Sequence, residues 1–365
     1  VTTSGATVGT LYALSTMGSI FGTFLAGFYL IPNYGVATIL VQLAFVLVVL
    51  SLLLSLNQLL ALKAATATVL LVMLPFADGL TSQAKFYEGT TEVNTVFNRV
   101  LLRENERYGR EVLEMMISNE HSSAMFKNSD DLVYRYTQFY DLARHYVPDF
   151  KTTLMLGGAG YSYPKHFLQT YPKATMDVVE IDPGLTAIAK EHFRLPEDHP
   201  RLTIYHEDGR TYLNRSDKTY DVIFGDAFSS HYSIPFHLTT KEAVQKKYDM
   251  LSDDGAVVLN NISSITEETG KFLRAEYATY KSIFPHVLLF PVTHPNEPYR
   301  VQNIILVATK RDALPPATSR DLEINRMLAN YYDEEVPNDM PVLTDDYAPV
   351  DFYIHDILSG MRAGM

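Results

Sequence analysis

The sequence predicts three parts in chain order: transmembrane α-helices, a small β-domain, and a doubly wound α/β sheet. Three observations carry this. Residues 1–80 hold only two charged side chains, Lys63 and Asp78. Residues 81–128 mix β-branched, apolar and polar residues in the manner of short strands. Beyond residue 150, short apolar runs alternate with helical patterns, and the runs end in glycines or acids.

Three apolar stretches fill the N-terminal part, over about 7–31, 36–56 and 62–80. Each is close to the roughly 20 residues that an α-helix needs to cross a hydrocarbon core of about 30 Å. Ile31-Pro32-Asn33-Tyr34-Gly35 and Asn57-Gln58 break the chain between them. Pro75 and Asp78-Gly79 interrupt the third, which leaves a partly interfacial course open. Three successive spans argue against a signal peptide. Gly18, Gly22 and Ala26 recur every four residues and form a small-residue face. That face suits packing against the other spans, a second copy or a membrane-protein partner. The first two spans lack ionisable groups, which argues against solute transport by this chain alone. Lys85, Arg99, Arg103 and Arg107 follow the third span. The positive-inside rule then predicts an integral membrane protein, in contact with lipid, whose polar part faces the cytoplasm.

Lys63 and Asp78 cancel, so the net charge of -12 belongs to the region beyond residue 80. An acidic domain lacks the basic face that tracks phosphates, so no nucleic-acid partner is expected. The absence of cysteine excludes disulfides, thiolate metal sites and a cysteine nucleophile. His192, His199, His286 and His294 show no metal-ligand spacing, and no metal is expected.

The β-domain is read from Glu92–Leu102 and Gly109–Ile117, either side of a charged turn. Residues 130–147 predict a helix with Ser129 as its N-cap, tyrosines near helical spacing, and Pro148 as its stop. Strands follow at 152–156, 176–181, 202–205, 220–225 and 256–260, with helices to about 170 and over 185–193 and 240–250. Domain bounds are therefore 1–80, 81–128, 129–312 and a helical extension over 313–365.

In a doubly wound sheet, ligands bind beyond the carboxyl ends of the strands. The first of these strands ends in Gly157-Gly158-Ala159-Gly160, where the backbone passes close to a ligand and opens a helix. The second ends in Glu180-Ile181-Asp182; an acid about twenty residues past the glycine turn suits both ribose hydroxyls. The third ends in Asp208-Gly209, where a carboxylate suits an adenine amino group, and the fourth in Asp226. A dinucleotide fingerprint would need a small residue at Tyr163, which disfavours NAD. The alternative is that these acids only cap helices.

The stretches "VVEIDP", "YDVIFGDAFSSHYSIPFHLTTKEAV" and "LTDDYAPVDF" resemble those of the spermidine synthase family. With "GTLYALSTMGSIFGTFLAGFYLIPNYG" before them, the chain is similar to relatives in which transporter-like spans precede such a domain. The resemblance implies a Rossmann-like fold of the S-adenosylmethionine-dependent methyltransferase type. It implies decarboxylated S-adenosylmethionine or S-adenosylmethionine as co-substrate and a small-molecule amine, or an unknown acceptor, as the other partner. Asp226 matches the family's catalytic carboxylate. Gly157, Gly158, Glu180 and Asp208 match its nucleoside site, with Gly160, Asp182 and Gly209 beside them. Three positions depart from the pattern. Gly160 stands where synthases hold the cofactor amine with an aspartate. Ser229-Ser230-His231-Tyr232 replaces the segment carrying a second acid, which leaves His231 as a candidate base or a plain surface residue, and Tyr232 as a candidate substrate contact. Val93-Asn94 stands for a Tyr-Gln pair, which makes Asn94 a candidate substrate contact. Asp345-Asp346 suits either the pocket or a turn cap. Aminopropyl transfer is the leading expectation; methyl transfer, or a degenerate domain serving a membrane complex, are the alternatives.

Overall fold

The computed structural model describes residues 2–31, 34, 36–54, 89–117, 120–227 and 234–363. They fall into two units, Val1–Arg103 and Glu104–Met365.

In the first unit, α1 (Thr2–Leu25) runs on through a π-helical turn, Ala26–Leu30, and α2 spans Val36–Leu54. The stretch Gly5–Leu30 is long and apolar enough to cross a membrane. Four of its hydroxyls are satisfied within the helix: Thr10, Thr16, Ser19 and Thr23 each donate to the carbonyl four residues earlier, at 2.9–3.0 Å. Such back-bonding hides polar groups from an apolar surrounding. A side-chain carbon added at Gly18 or Gly22 would meet nothing within 4 Å among the described residues. The third expected span, 62–80, lies outside the described residues. Strand β1 (Thr90–Asn94) pairs antiparallel with β2 (Arg99–Arg107), placing Asn94 opposite Arg99. Arg99 grips Glu92 through two hydrogen bonds, 2.8 and 3.0 Å.

In the second unit, β3 (Arg110–Ile117) and β4 (Glu120–Phe126) form an antiparallel pair. The single helix expected over 130–147 is not formed. Ser129 accepts from the Asp131 amide (3.3 Å), as a cap would, and its hydroxyl also meets Arg110 and the Asp131 carboxylate, but no helix follows it directly. Leu132 bridges back to Met125, and Tyr134 stays extended. Helical turns occupy only Arg135–Tyr146, with a tighter 3-10 stretch at Phe139–Leu142. Long-range pairing there overrides a helical period in a tyrosine-rich segment.

The main sheet holds β5 (Thr152–Leu156), β6 (Thr175–Val179), β7 (Leu202–Tyr205), β8 (Tyr220–Gly225), β9 (Leu251–Ser263), β10 (His286–Pro291) and β11 (Gln302–Thr309). Their spatial order is β10-β11-β9-β8-β5-β6-β7. Strands β5 to β9 pair in parallel. The sheet departs from the all-parallel expectation at its far side, where β11 inserts antiparallel between β9 and β10. A short return from β10 to β11 allows only an antiparallel pair, since a parallel one needs a long crossover.

Crossover helices follow the strands: α3 (Ser162–Thr170), α4 (Pro183–His192), α5 (Gly209–Arg215), α6 (Lys241–Met250) and α7 (Lys271–Lys281). α8 (Leu322–Leu328) and α9 (Val350–Ala363) close the chain. One face of the sheet buries Leu154, Leu156, Ile223, Val257 and Leu259 with Val244 of α6 and Leu273 of α7. β5 sits where the chain turns one way to β6 and the other way to β8. Such a reversal opens a crevice at the carboxyl ends of the strands.

Candidate functional site

The crevice begins at the glycine turn. Gly157 has φ +93°, a region that favours glycine, and a side chain there would run into the Asp226 carbonyl. Gly157 donates to the Val179 carbonyl (2.9 Å), and the Asp226 amide donates to that of Leu156 (2.9 Å). The ends of β5, β6 and β8 are thus laced together. Gly158 is tight because Tyr161 lies against it; an added carbon would sit 2.6 Å from that ring. The buried Tyr161 hydroxyl pairs with Thr186 (2.7 Å), which also meets His206 (3.0 Å). The Gly160 amide donates to Ser123 of β4 (3.0 Å).

Glu180 is buried at the end of β6. Its Oε2 accepts from the amides of Gly158 (2.9 Å) and Ala159 (3.0 Å), and its Oε1 from that of Asp182 (3.0 Å). Asp182 is fully buried and caps α4 by accepting from Gly184, with Pro183 in the first turn.

Asp208 caps α5, accepting from Thr211 (2.8 Å), and its Oδ2 meets His237 (3.0 Å). Burial works to raise its pKa, but the Thr211 amide and His237 hold it below the usual aspartate value. Gly209 opens that helix, with Leu238 close to where a side chain would project.

Asp226 stands at the end of β8. Its Oδ2 accepts from the Tyr136 hydroxyl (3.2 Å) and its Oδ1 from the Asn260 amide (3.2 Å). The Tyr140 hydroxyl faces the same carboxylate from outside hydrogen-bonding geometry. Burial pushes Asp226 up to about 6, and these dipoles restrain the rise. An acid poised near neutrality is suited to taking a proton.

On the opposite face of the sheet, Lys247, Glu276, Gly225 and Ala227 line a small cavity. Lys247 donates to the Leu238 carbonyl (3.0 Å) and the Tyr280 hydroxyl (2.8 Å). Burial lowers the Lys247 ammonium and raises the Glu276 carboxyl from their ordinary values, each opposed by the other's charge.

The turn Gly157–Gly160, Glu180, Asp182 and Asp226 therefore meet at one end of the sheet. Asp208 and Gly209 end the neighbouring strand β7 and join that rim through Leu238. Asn94 lies in the first unit, exposed at the end of β1. His231 and Tyr232 lie outside the described residues. Asp345 is held by Arg210 (2.6 Å) and the Thr240 hydroxyl (2.7 Å), while Asp346 is exposed. Among the described residues no cluster of three or more acid or histidine side chains is placed to hold a metal. In the sequence the tyrosines of 134–146 read as core rather than as a substrate platform, and Asn260 is not singled out. Asn260-Asn261 inside the apolar run of β9 was a usable signal, since buried amides need partners.

Parallel strands reversing at β5, one antiparallel strand near the edge and acids at the strand ends define a Rossmann-like fold of the methyltransferase type. A probable spermidine synthase from Corynebacterium glutamicum ATCC 13032 shares this fold, with a TM-score of 0.56 and 22% identity over 68% of this chain and 88% of its own. Residues 140–314 match the family model of the spermine/spermidine synthase domain. A polyamine aminopropyltransferase of Vibrio vulnificus (strain CMCP6) is 35% identical over 142 residues, 38% of this chain. The match spans 45% of that relative's length. One of Streptococcus uberis (strain ATCC BAA-854 / 0140J) is 27% identical over 226 residues, covering 60% of this chain and 76% of the relative.

Proposed function

We propose that the protein is a membrane-anchored transferase that moves an aminopropyl group from decarboxylated S-adenosylmethionine to an amine. The observation that carries this reading is Asp226, a half-buried acid near neutrality beside the glycine turn and Glu180. The adenosyl group would lie over the turn, with Glu180 taking the ribose hydroxyls and Asp208 the adenine amino group. The amine nitrogen attacks the methylene next to the sulfonium. The carbon–sulfur bond breaks, its electron pair stays on sulfur, and methylthioadenosine leaves. Asp226 accepts the proton that the new ammonium releases. Holding nucleophile and carbon in line supplies much of the rate, and the positioned base the rest. The apolar helix Gly5–Leu30 supports anchoring, with the polar part in the cytoplasm.

Two observations favour other readings. Gly160 offers no side chain to a cofactor amine, which weakens the preference for the decarboxylated form and keeps methyl transfer as a second reading. Every oxygen of Glu180 and Asp208 already has a protein partner, which suits a scaffold subunit that binds no nucleoside. Incubating the purified chain with each cofactor and an amine set decides among them. Methylthioadenosine release supports the proposal, S-adenosylhomocysteine supports methyl transfer, and calorimetry showing no binding of either refutes both.

A further inference from the structure

We propose that Asn303 is a positioning residue for the reaction centre, orienting Asp226 through the side-chain amide of Asn260. The inference rests on reading Asp226 as the proton acceptor. Asn303 lies on β11 beside β9 and donates its Nδ2 to the Asn260 Oδ1 (3.0 Å). Asn260, itself buried, then donates its Nδ2 to the Asp226 Oδ1 (3.2 Å). The chain of bonds has a direction. A side-chain amide has one accepting and one donating end, and either end fits its site equally well by shape. Asn303 occupies the accepting end of Asn260, so the donating end is turned to Asp226.

That orientation favours the ionised carboxylate, which only accepts. A reversed amide would point its carbonyl at the carboxylate and favour the protonated form. The other groups facing Asp226 are Tyr136, which donates to Oδ2, and Tyr140. Tyr136 donates to the other carboxylate oxygen, so it does not replace the bond that Asn260 makes to Oδ1. The antiparallel insertion of β11 is what brings Asn303 within reach. In an all-parallel sheet, this edge of β9 would face a different strand.

The test is the titration of the Asp226 carboxyl in the full chain, without substrate, by isotope-edited infrared difference spectroscopy, with Asp226→Asn assigning the band. Asn303→Leu is expected to raise the titration midpoint by about one unit, a tenfold change in proton affinity. Asn260→Leu is expected to raise it at least as far. The double variant is expected to match Asn260→Leu alone, because Asn303 acts only through that amide. An unchanged midpoint in Asn303→Leu overturns the proposal, and so does a double variant whose shift is the sum of the two. Asn303→Val, also without a donor and suited to a strand, serves if the leucine variant does not fold. No substrate is present, so a failed transferase reading leaves these shifts intact, and absent shifts leave that reading intact.

Discussion

At Asp226 two demands oppose each other. Burial favours the neutral acid, while Tyr136 and Asn260 favour the charged one, and the balance falls at about 6. Turnover is expected to be lost as the pH falls through about 6, because the base is then protonated; a pH profile of methylthioadenosine release checks this. The raised value also has a sign for stability. The native state binds this proton more tightly than the unfolded chain, so Asp226 favours folding at low pH and opposes it as the pH rises through 6. Asp226→Asn is therefore expected to abolish turnover yet gain about 1–2 kcal/mol of stability above pH 7, read by denaturant unfolding at pH 5 and 8. Gly157 is the backbone counterpart. Gly157→Ala puts a methyl group at positive φ against the Asp226 carbonyl and is expected to destabilise the unit by about 2 kcal/mol or more, seen as a lower melting temperature. The glycines and strand-end acids were legible because few residue types tolerate those positions. Tyr136, Tyr140 and Asn303 were not, since their part depends on which strand lies beside which.

Among the elements, the parallel strands and their first crossover helices were legible from alternating apolar runs. The segment over 130–147 was not: its tyrosines keep a helical period, yet Leu132 bridges back to Met125 and Tyr134 stays extended, so no helix follows Ser129 directly. Strands β10 and β11 were not among the predicted strands, and direction is not written in composition. The turn at 343–347 belongs here too. Arg210 donates to Asp345, to the His237 carbonyl and to Thr240, and Asp345 also takes the Thr240 hydroxyl. This clasp fastens the turn to α5 and α6. Asp345→Ala is expected to lower stability by about 1–2 kcal/mol and hasten proteolysis near residue 345, while leaving nucleoside affinity unchanged. A fall in that affinity would instead put Asp345 in the pocket.

For the molecule as a whole, the buried Lys247 and Glu276 are an electrostatic liability, each shifted by burial and opposed by the other's charge. Lys247→Met leaves an unpaired buried acid and is expected to cost about 3 kcal/mol near pH 8, less near pH 5 where Glu276 takes up a proton. Lys247→Met with Glu276→Leu is expected to restore most of it, as a thermal denaturation series would show. The charge split between residues 1–80 and the remainder was legible at this scale. So was the presence of a long apolar helix, because length and hydropathy are properties of the chain itself. A chain started at Gly89 is expected to need no detergent for extraction, whereas the full chain partitions with the membrane pellet.

Glu180 is held by three backbone amides, from Gly158, Ala159 and Asp182. A carboxylate pinned in this way has little rotation left to surrender when a sugar arrives, and little ability to follow a smaller one. A 2′-deoxy nucleoside would thus forfeit its contact outright and find no compensating adjustment. If the proposed nucleoside reading holds, the three amides that pin Glu180 would make the pocket a strict judge of the sugar.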